Sequence, residues 1–201
     1  MSTCRPTFFS LLILTLIATS IYAKINIWKP DYLVKQLKDK VIETSVSSFG
    51  HVPYGHSIIG KLVLANPING CKPMTFQNYD HHKEGALMVL TKRGDCPFAE
   101  KVYNAQKAGA SLVIFIDNKP EDVKHVLPHD SPEYSHKISI PSVLVDSNTG
   151  AQFQKTLENI ERNAIVNDKK NIRDKLILSV DFEANVDYLA KILYLFSVDH
   201  Y

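Results

Sequence analysis

The stretch Leu90–Asp117 constrains the fold most, because it places a turn and an amphipathic helix between two apolar segments. These segments, Gly85–Leu90 and Ser111–Asp117, are short apolar runs bounded by turn residues, as expected of strands buried on both faces. Between them, apolar residues recur at helical spacing from Phe98 to Gly109. A strand, a helix and a strand in this order predict a βαβ unit with a right-handed crossover.

Other segments of the chain add strands and helices to this unit. Apolar or alternating runs predict four further strands, at Val41–Val46, Ser57–Ala65, Ile140–Asp146 and Leu176–Phe182. Ser147 is expected to cap a second helix, and a third amphipathic helix is predicted over Val186, Leu189, Leu193 and Phe196. Residues 24–40 have a mixed pattern without a firm assignment, and residues 118–139 are predicted to form a long surface loop.

The first 23 residues have the pattern of a secretory signal peptide. Arg5 supplies the positive charge, Phe8–Ala18 is an apolar core of 11 residues, and cleavage is expected after Ala23. The apolar core is shorter than the roughly 20 residues of a membrane span, and an uncleaved anchor is the alternative. After Ala23 no segment approaches roughly 18 apolar residues, so the mature chain is predicted to be luminal or extracellular without a span of its own.

Composition and charge limit the classes of function. With 45% hydrophobic and 22% charged residues, the chain has the composition of a soluble globular protein. Removing Arg5 with the signal segment leaves 22 of the 23 basic side chains against 21 acidic ones, a net charge of +1. This balance, without a basic cluster, argues against nucleic-acid binding.

Cys71 and Cys96 are left as an even pair once Cys4 leaves with the signal segment. In an oxidising compartment such a pair favours a disulfide, which would close a loop of about 26 residues and stabilise the fold by roughly 3–4 kcal/mol. Two buried free thiols are the alternative. Cys96 could also act as a nucleophile near a helix N-terminus, but no recognisable pattern supplies the base that a cysteine enzyme needs.

Arg93-Gly94-Asp95 is the tripeptide found in integrin ligands. The alternative, which we favour, is a turn between a strand and a helix that happens to contain these residues. Gly94 supplies backbone freedom there, and the Asp95 carboxylate can accept hydrogen bonds from nearby N–H groups.

Histidines and acidic residues of the predicted loops raise the question of metal binding. The histidines are His81, His82, His125, His129 and His136, and the acidic residues of residues 118–139 are Glu121, Asp122, Asp130 and Glu133. Neither set has the spacing of a zinc motif or an EF-hand, so a solvated surface and no metal are expected. Because histidine titrates between about pH 5 and 8, His129 and His136 are candidates for pH sensing. No hydrolase or nucleotide motif is present, and no cofactor is expected.

The combined pattern resembles the protease-associated (PA) domain, most closely the luminal part of vacuolar sorting receptors. The matching segments are RGDCPF at Arg93–Phe98, KVYNAQKAGA at Lys101–Ala110, ISIPSVLVDSNTG at Ile138–Gly150, SSFGHVPYG at Ser47–Gly55, IIGKLV at Ile58–Val63 and the position of Cys71. The resemblance covers roughly Asp31 to Phe182. Together with the patterns at the two ends of the chain, it predicts a signal peptide at residues 1–23, a PA domain with an N-terminal extension at 24–182, and a C-terminal amphipathic helix or tail at 183–201.

The resemblance implies a mixed α+β or α/β fold with the swivelling β/β/α architecture of PA domains: a central, partly parallel sheet, a second antiparallel sheet and flanking helices. It also implies a Cys71–Cys96 disulfide and no catalysis. In sorting receptors the RGxCxF segment helps to bind the cargo peptide. The residues at those positions here are Arg93, Gly94, Cys96 and Phe98, with Asp95 between them. The Arg93 guanidinium carries a charge and can donate paired hydrogen bonds to a peptide. Phe98, on the helix face, is expected in the core.

The sequence therefore predicts a non-catalytic, protein- or peptide-binding module of the secretory pathway, with a role in cargo recognition for vacuolar or lysosomal sorting. Its expected location is the lumen of the Golgi, endosome or vacuole, or the cell exterior. Sorting receptors continue into further cysteine-rich modules, a membrane span and a cytoplasmic tail. A truncated gene model, a soluble relative and a subunit that works with a membrane-anchored partner are the three alternatives for this chain. The alternatives are an accessory domain of a secreted peptidase and a fragment of a membrane RING ubiquitin ligase that contains a PA domain.

Overall fold

Seven strands form a closed barrel in the computed structural model, which describes residues 22–37, 42–76, 79, 84–118, 127–128, 130–166 and 175–183. The strands are β1 Tyr22–Lys29, β2 Ile42–Val46, β3 Ser57–Leu64, β4 Ala86–Lys92, β5 Leu112–Ile116, β6 Ser142–Val145 and β7 Ile177–Glu183. The helices of the described part are α1 Asp31–Leu37, α2 Phe98–Lys107, α3 Pro132–Ser135 and α4 Ser147–Val166. Around the barrel the order is β1-β2-β6-β5-β4-β3-β7, and β7 pairs again with β1.

The barrel has a parallel half and an antiparallel half. Strands β3, β4, β5 and β6 are parallel neighbours, and the β4–α2–β5 segment is the βαβ unit that the sequence predicts. Strand β7 pairs antiparallel with both β3 and β1, and β2 joins β1 to β6. The mixed α/β fold with flanking helices is thus confirmed. The expected second antiparallel sheet is not separate, because β1, β2 and β7 close the same sheet.

Strand β1 and helix α1 occupy the region without a firm assignment from sequence. In β1, Ala23 and Ile25 are buried, while the outward-facing Lys24 donates to Glu183 Oε1 at 2.8 Å. Asn26, the next outward-facing residue, is also paired, since its side-chain amide donates to Asp181. Apolar and polar residues thus alternate from Ala23 to Ile27. This period-2 pattern of a strand begins within the predicted signal peptide, and the assignment from sequence missed it.

The parallel half of the barrel is buried on both faces. Along β4, Leu87 and Val89 pack against helix α2, whereas Met88 and Leu90 belong to the cluster that fills the barrel interior. Every residue of β5 is buried. Continuous apolar runs are the expected sequence of such strands, because neither face meets water.

Helix α4 is capped by a different residue from the one predicted. The Asp146 carboxylate accepts the backbone N–H groups of Asn148 and Thr149, both at 2.9 Å, so Asp146 rather than Ser147 satisfies the first turn. A carboxylate at this place also interacts favourably with the positive end of the helix dipole.

Two of the predicted segments lie almost entirely outside the described residues. Tyr22 and Ala23 of the predicted signal peptide belong to β1, and Glu183 of the predicted C-terminal segment ends β7. The rest of residues 1–23 and 183–201, including the predicted helix over 186–196, is not described. In the part of the chain that is described, no helix is both long and apolar enough to cross a bilayer.

Candidate functional site

The turn that follows β4 lies at the edge where the parallel strands end. The backbone N–H of Lys92 donates to Ile68 O at 3.0 Å, and that of Arg93 donates to Ile116 O at 3.0 Å. These bonds place the turn between the loop after β3 and the end of β5. The carboxyl ends of parallel strands commonly carry binding sites in α/β folds.

A disulfide joins Cys71, in the loop after β3, to Cys96 in the turn, with the two Cα atoms 5.9 Å apart. The predicted pairing is confirmed. Asn69 adds a second link, because its side-chain amide donates to Asp95 Oδ2 at 3.0 Å and its side-chain oxygen accepts the Cys71 N–H at 3.2 Å. Cys96 is therefore half of a covalent link between two loops and offers no free thiol for catalysis while the bond is intact.

The backbone of the turn depends on two consecutive residues with positive φ. Gly94 has φ 105° and Asp95 has φ 67°, and the Cys96 N–H closes the turn on Gly94 O at 2.9 Å. Glycine adopts this conformation freely, whereas aspartate does so at some cost in conformational energy. Gly94 and Asp95 are both exposed, so the tip of the turn faces solvent.

Arg93 is held in place and still partly exposed. Its Nη1 donates to Asp117 Oδ1 at 3.0 Å, and its guanidinium lies 5.6 Å from the centroid of the Phe98 ring. Asp117 is buried at the end of β5 and also accepts the Asn118 N–H at 2.7 Å. Because 40% of the Arg93 side chain is accessible, the residue presents a fixed positive charge at the surface.

Phe98 lies in the core at the start of helix α2. It is 8% exposed, and its ring packs edge-on against Phe115 with 4.8 Å between centroids. Of the residues that the family resemblance assigns to ligand binding, Phe98 thus has little surface to offer. Its ring supports the turn from the buried side and faces the Arg93 guanidinium.

Sequence reasoning missed Lys101, the residue that ties the two loops from beneath. Its ammonium donates to Asn69 O, to Gly94 O at 2.6 Å and to Cys71 Sγ at 3.3 Å, and the residue is 1% exposed. Burial lowers the pKa of Lys101, opposed by nearby carboxylates of which Asp95 is the strongest. The signal was present in the sequence, because Lys101 falls three residues after Phe98 and four before Ala105, within the apolar face of the helix.

Asp130 caps helix α2, although the sequence placed it on a solvated loop. One carboxylate oxygen accepts the Phe98 N–H, and the other accepts the Ala99 N–H at 3.2 Å. Pro97, the residue before the helix, has no side-chain acceptor and therefore cannot cap it. The loop that carries Asp130 is thus attached to the same helix end as the turn.

The structure leaves most of the predicted histidine and acidic sets outside the described residues. These undescribed residues are His81, His82, Glu121, Asp122, His125 and His129. His136 is described and follows the last residue of helix α3. It is exposed, and its Nδ1 lies 2.8 Å from the carbonyl oxygen of Pro132, the first residue of that helix. Among the described residues, no three His, Cys, Asp or Glu side chains come together as metal ligands would.

Comparison with known proteins connects this arrangement to one family. Residues 58–153 match the family model of the PA domain. Vacuolar-sorting receptor 3 from Arabidopsis thaliana is 36% identical over 126 residues, which cover 57% of this chain and 20% of the receptor. Vacuolar-sorting receptor 7 from the same plant is 33% identical over 153 residues, covering 71% of this chain and 24% of the receptor.

A second group of relatives shares the same region. Signal peptide peptidase-like 2 from Arabidopsis thaliana is 37% identical over 98 residues, covering 49% of this chain and 17% of that protein. The chain therefore spans about a fifth of the length of the curated relatives it matches. Among solved structures, a zinc aminopeptidase from Bacillus subtilis aligns with a TM-score of 0.48 at 18% identity, over 80% of this chain and 30% of that chain.

Proposed function

We propose that this chain, a PA-domain protein, is a non-catalytic module that binds proteins or peptides in the lumen of the secretory pathway. The binding surface is the turn Arg93–Phe98. Arg93, Gly94 and Asp95 present their exposed atoms to the ligand, and Cys96 and Phe98 hold the turn from behind.

The observation that carries the proposal is the fixed geometry of an exposed turn. The turn is held by a disulfide, by the Arg93–Asp117 ion pair and by the buried Lys101 ammonium. A surface that is rigid before binding loses little conformational entropy when a ligand arrives. The exposed guanidinium offers paired donors to a carboxylate or a peptide carbonyl, and an aromatic ring supports it from below.

The chemistry of the described site favours binding over catalysis. Its cysteine is in a disulfide, and its buried lysine already donates to two carbonyl oxygens. A nucleophilic mechanism needs a free nucleophile within reach of a base. Hydrolysis of a general peptide substrate by the purified protein would contradict the non-catalytic part of the proposal.

The names of the relatives suggest a setting for this binding. Vacuolar-sorting receptors are similar over 57% and 71% of this chain, so we propose a role in cargo recognition for vacuolar or lysosomal sorting, together with a membrane-anchored partner. A role as accessory domain of a peptidase is the second candidate, because signal peptide peptidase-like proteins match the same region.

The site is tested by binding to an array of peptides drawn from secreted and vacuolar proteins, followed by titration of the strongest peptide in solution. The Arg93→Ala variant is expected to weaken binding about tenfold or more, since it removes a charge-assisted contact worth roughly 1.5–3 kcal/mol. Lys92→Ala is the matched control, because Lys92 is the adjacent exposed cation and lies at the end of β4. Equal affinities for wild type and Arg93→Ala would refute the assignment.

The Asp117→Asn variant separates a ligand contact from a structural role. It breaks the ion pair and keeps Arg93, so the guanidinium remains but its position is less restrained. We expect an intermediate loss of affinity if Arg93 touches the ligand.

His129 and His136 remain proposed pH sensors. Imidazole side chains in general change charge between about pH 5 and 8, so a role of these residues in binding would make the affinity depend on pH in that range. A double His129→Gln, His136→Gln variant with the wild-type pH profile would exclude them.

A further inference from the structure

The first strand of the barrel begins before the signal cleavage site that the sequence pattern predicts. Strand β1 starts at Tyr22, whose backbone is in register with Ser45 of β2 and with Glu183 of β7. Ala23 follows in register with Thr44 and Phe182. Both residues are thus part of the ladders that join β1 to its two neighbours.

Ala23 is also a core residue. It is 0% exposed and belongs to the cluster that fills the barrel interior. Its carbonyl oxygen accepts the hydroxyl of Thr44 at 2.9 Å, and Thr44 is itself buried. A chain that began at Lys24 would leave this hydroxyl without its acceptor and would place a charged α-ammonium group inside the ladder.

The sequence offers a second cleavage site that keeps the whole strand. Ala18-Thr19-Ser20 has small residues at the last and third-last positions before the bond that follows it, which is the pattern of signal cleavage sites. At the bond after Ala23, the third-last position is the larger Ile21.

We infer that the leader is removed at the Ser20–Ile21 bond. A signal peptidase hydrolyses this peptide bond with one water, which leaves a carboxylate on Ser20 and an α-amine on Ile21. The mature chain then retains Tyr22 and Ala23, and the barrel closes with β1 complete. The inference does not depend on the proposed ligand, because it concerns the N-terminus alone.

The test is the N-terminal sequence and intact mass of the full chain after secretion from a eukaryotic host. The expected N-terminal residue is Ile21. An N-terminus at Lys24, or a protein that keeps Met1, would overturn the inference.

Two variants at sequence positions before β1 distinguish the two bonds. Ser20→Leu puts a bulky residue at the last position before the proposed bond and is expected to reduce the secreted amount at least severalfold. Ile21→Arg disturbs the third-last position of the alternative bond and leaves the small residues before the proposed bond unchanged. Its product is expected to be secreted normally with Arg at its N-terminus. Normal secretion of Ser20→Leu with an N-terminus at Lys24 would show that the alternative bond is used.

The contribution of Tyr22 and Ala23 to the stability of the barrel is tested separately. Chains that begin at Ile21 or at Lys24 are refolded with the disulfide formed. The chain from Ile21 is expected to unfold at the higher temperature. Equal unfolding temperatures would show that Tyr22 and Ala23 do not stabilise the barrel.

Discussion

Replacing Lys101 by methionine tests whether the buried ammonium holds the two loops together. Methionine keeps most of the aliphatic stem of lysine, so the packing of helix α2 changes little. What disappears is the donor to Asn69 O, to Gly94 O and to Cys71 Sγ.

The expected loss of stability follows from these contacts. Each hydrogen bond from a charged donor contributes roughly 1.5–3 kcal/mol, so the two bonds to carbonyl oxygens amount to about 3–6 kcal/mol. Part of this is offset because the variant no longer buries an ammonium group, whose desolvation is visible in the lowered pKa of Lys101. We expect a net loss of about 2–4 kcal/mol, which corresponds to a fall of roughly 4–16 °C in the unfolding temperature.

The measurement is chemical denaturation at pH 7 with the disulfide intact, so that only the non-covalent contacts differ. Lys107→Met is the matched control, because Lys107 lies in the same helix and is exposed. It should change the free energy of unfolding by less than about 0.5 kcal/mol. A Lys101→Met protein as stable as the control would refute the reasoning.

Three further changes have expected outcomes. Burial alone would raise the pKa of Glu84, but hydrogen bonds from Lys175 and Lys61 hold it below its ordinary value. The stabilisation of the fold by the charged Glu84 is therefore present above about pH 4.5 and is lost as the pH falls through the folded-state pKa. In denaturation at about pH 3–7, Glu84→Gln should reduce the fall in the free energy of unfolding towards acid pH. Asp130→Ala removes the cap of helix α2 and should lower the free energy of unfolding by about 1–2 kcal/mol. Amide hydrogen exchange in the first turn of the helix should become faster, and unchanged exchange would contradict the cap. Gly60→Ala places a Cβ 1.9 Å from Ala86 O and should lower the free energy of unfolding by roughly 3 kcal/mol or more. A thermal unfolding midpoint equal to that of the wild type would show that β3 and β4 can move apart at this position.

The parallel half of the barrel could be predicted from sequence because its signals are local. Strands β4 and β5 are continuous apolar runs, and helix α2 repeats its apolar residues every three or four positions. Strand β1 was missed because its short alternating pattern begins within the predicted signal peptide. Its outward-facing residues Lys24 and Asn26 are satisfied by partners on β7, more than 150 positions away in the chain.

The candidate site shows the same difference. The turn and the disulfide could be predicted from residues adjacent in sequence or from the family resemblance. The contact of Lys101 with Asn69 O and those of Asp130 with the start of helix α2 each span 31 or 32 residues, and nothing in the local sequence identifies those partners. The Lys101 position in an apolar helix face was the one local sign that it is buried.

Closure of the barrel limits how this domain can recognise an extended peptide. Each of the seven described strands has a neighbour on both sides, so none is an edge strand along its whole length. A full additional strand therefore has no open sheet edge to join among the described strands, and joining such an edge is the mode that gives many peptide-binding domains a sequence-independent share of their affinity. For the binding function that we propose, recognition then comes from loop side chains and turn backbone, so affinity should depend strongly on which residue the peptide places against Arg93.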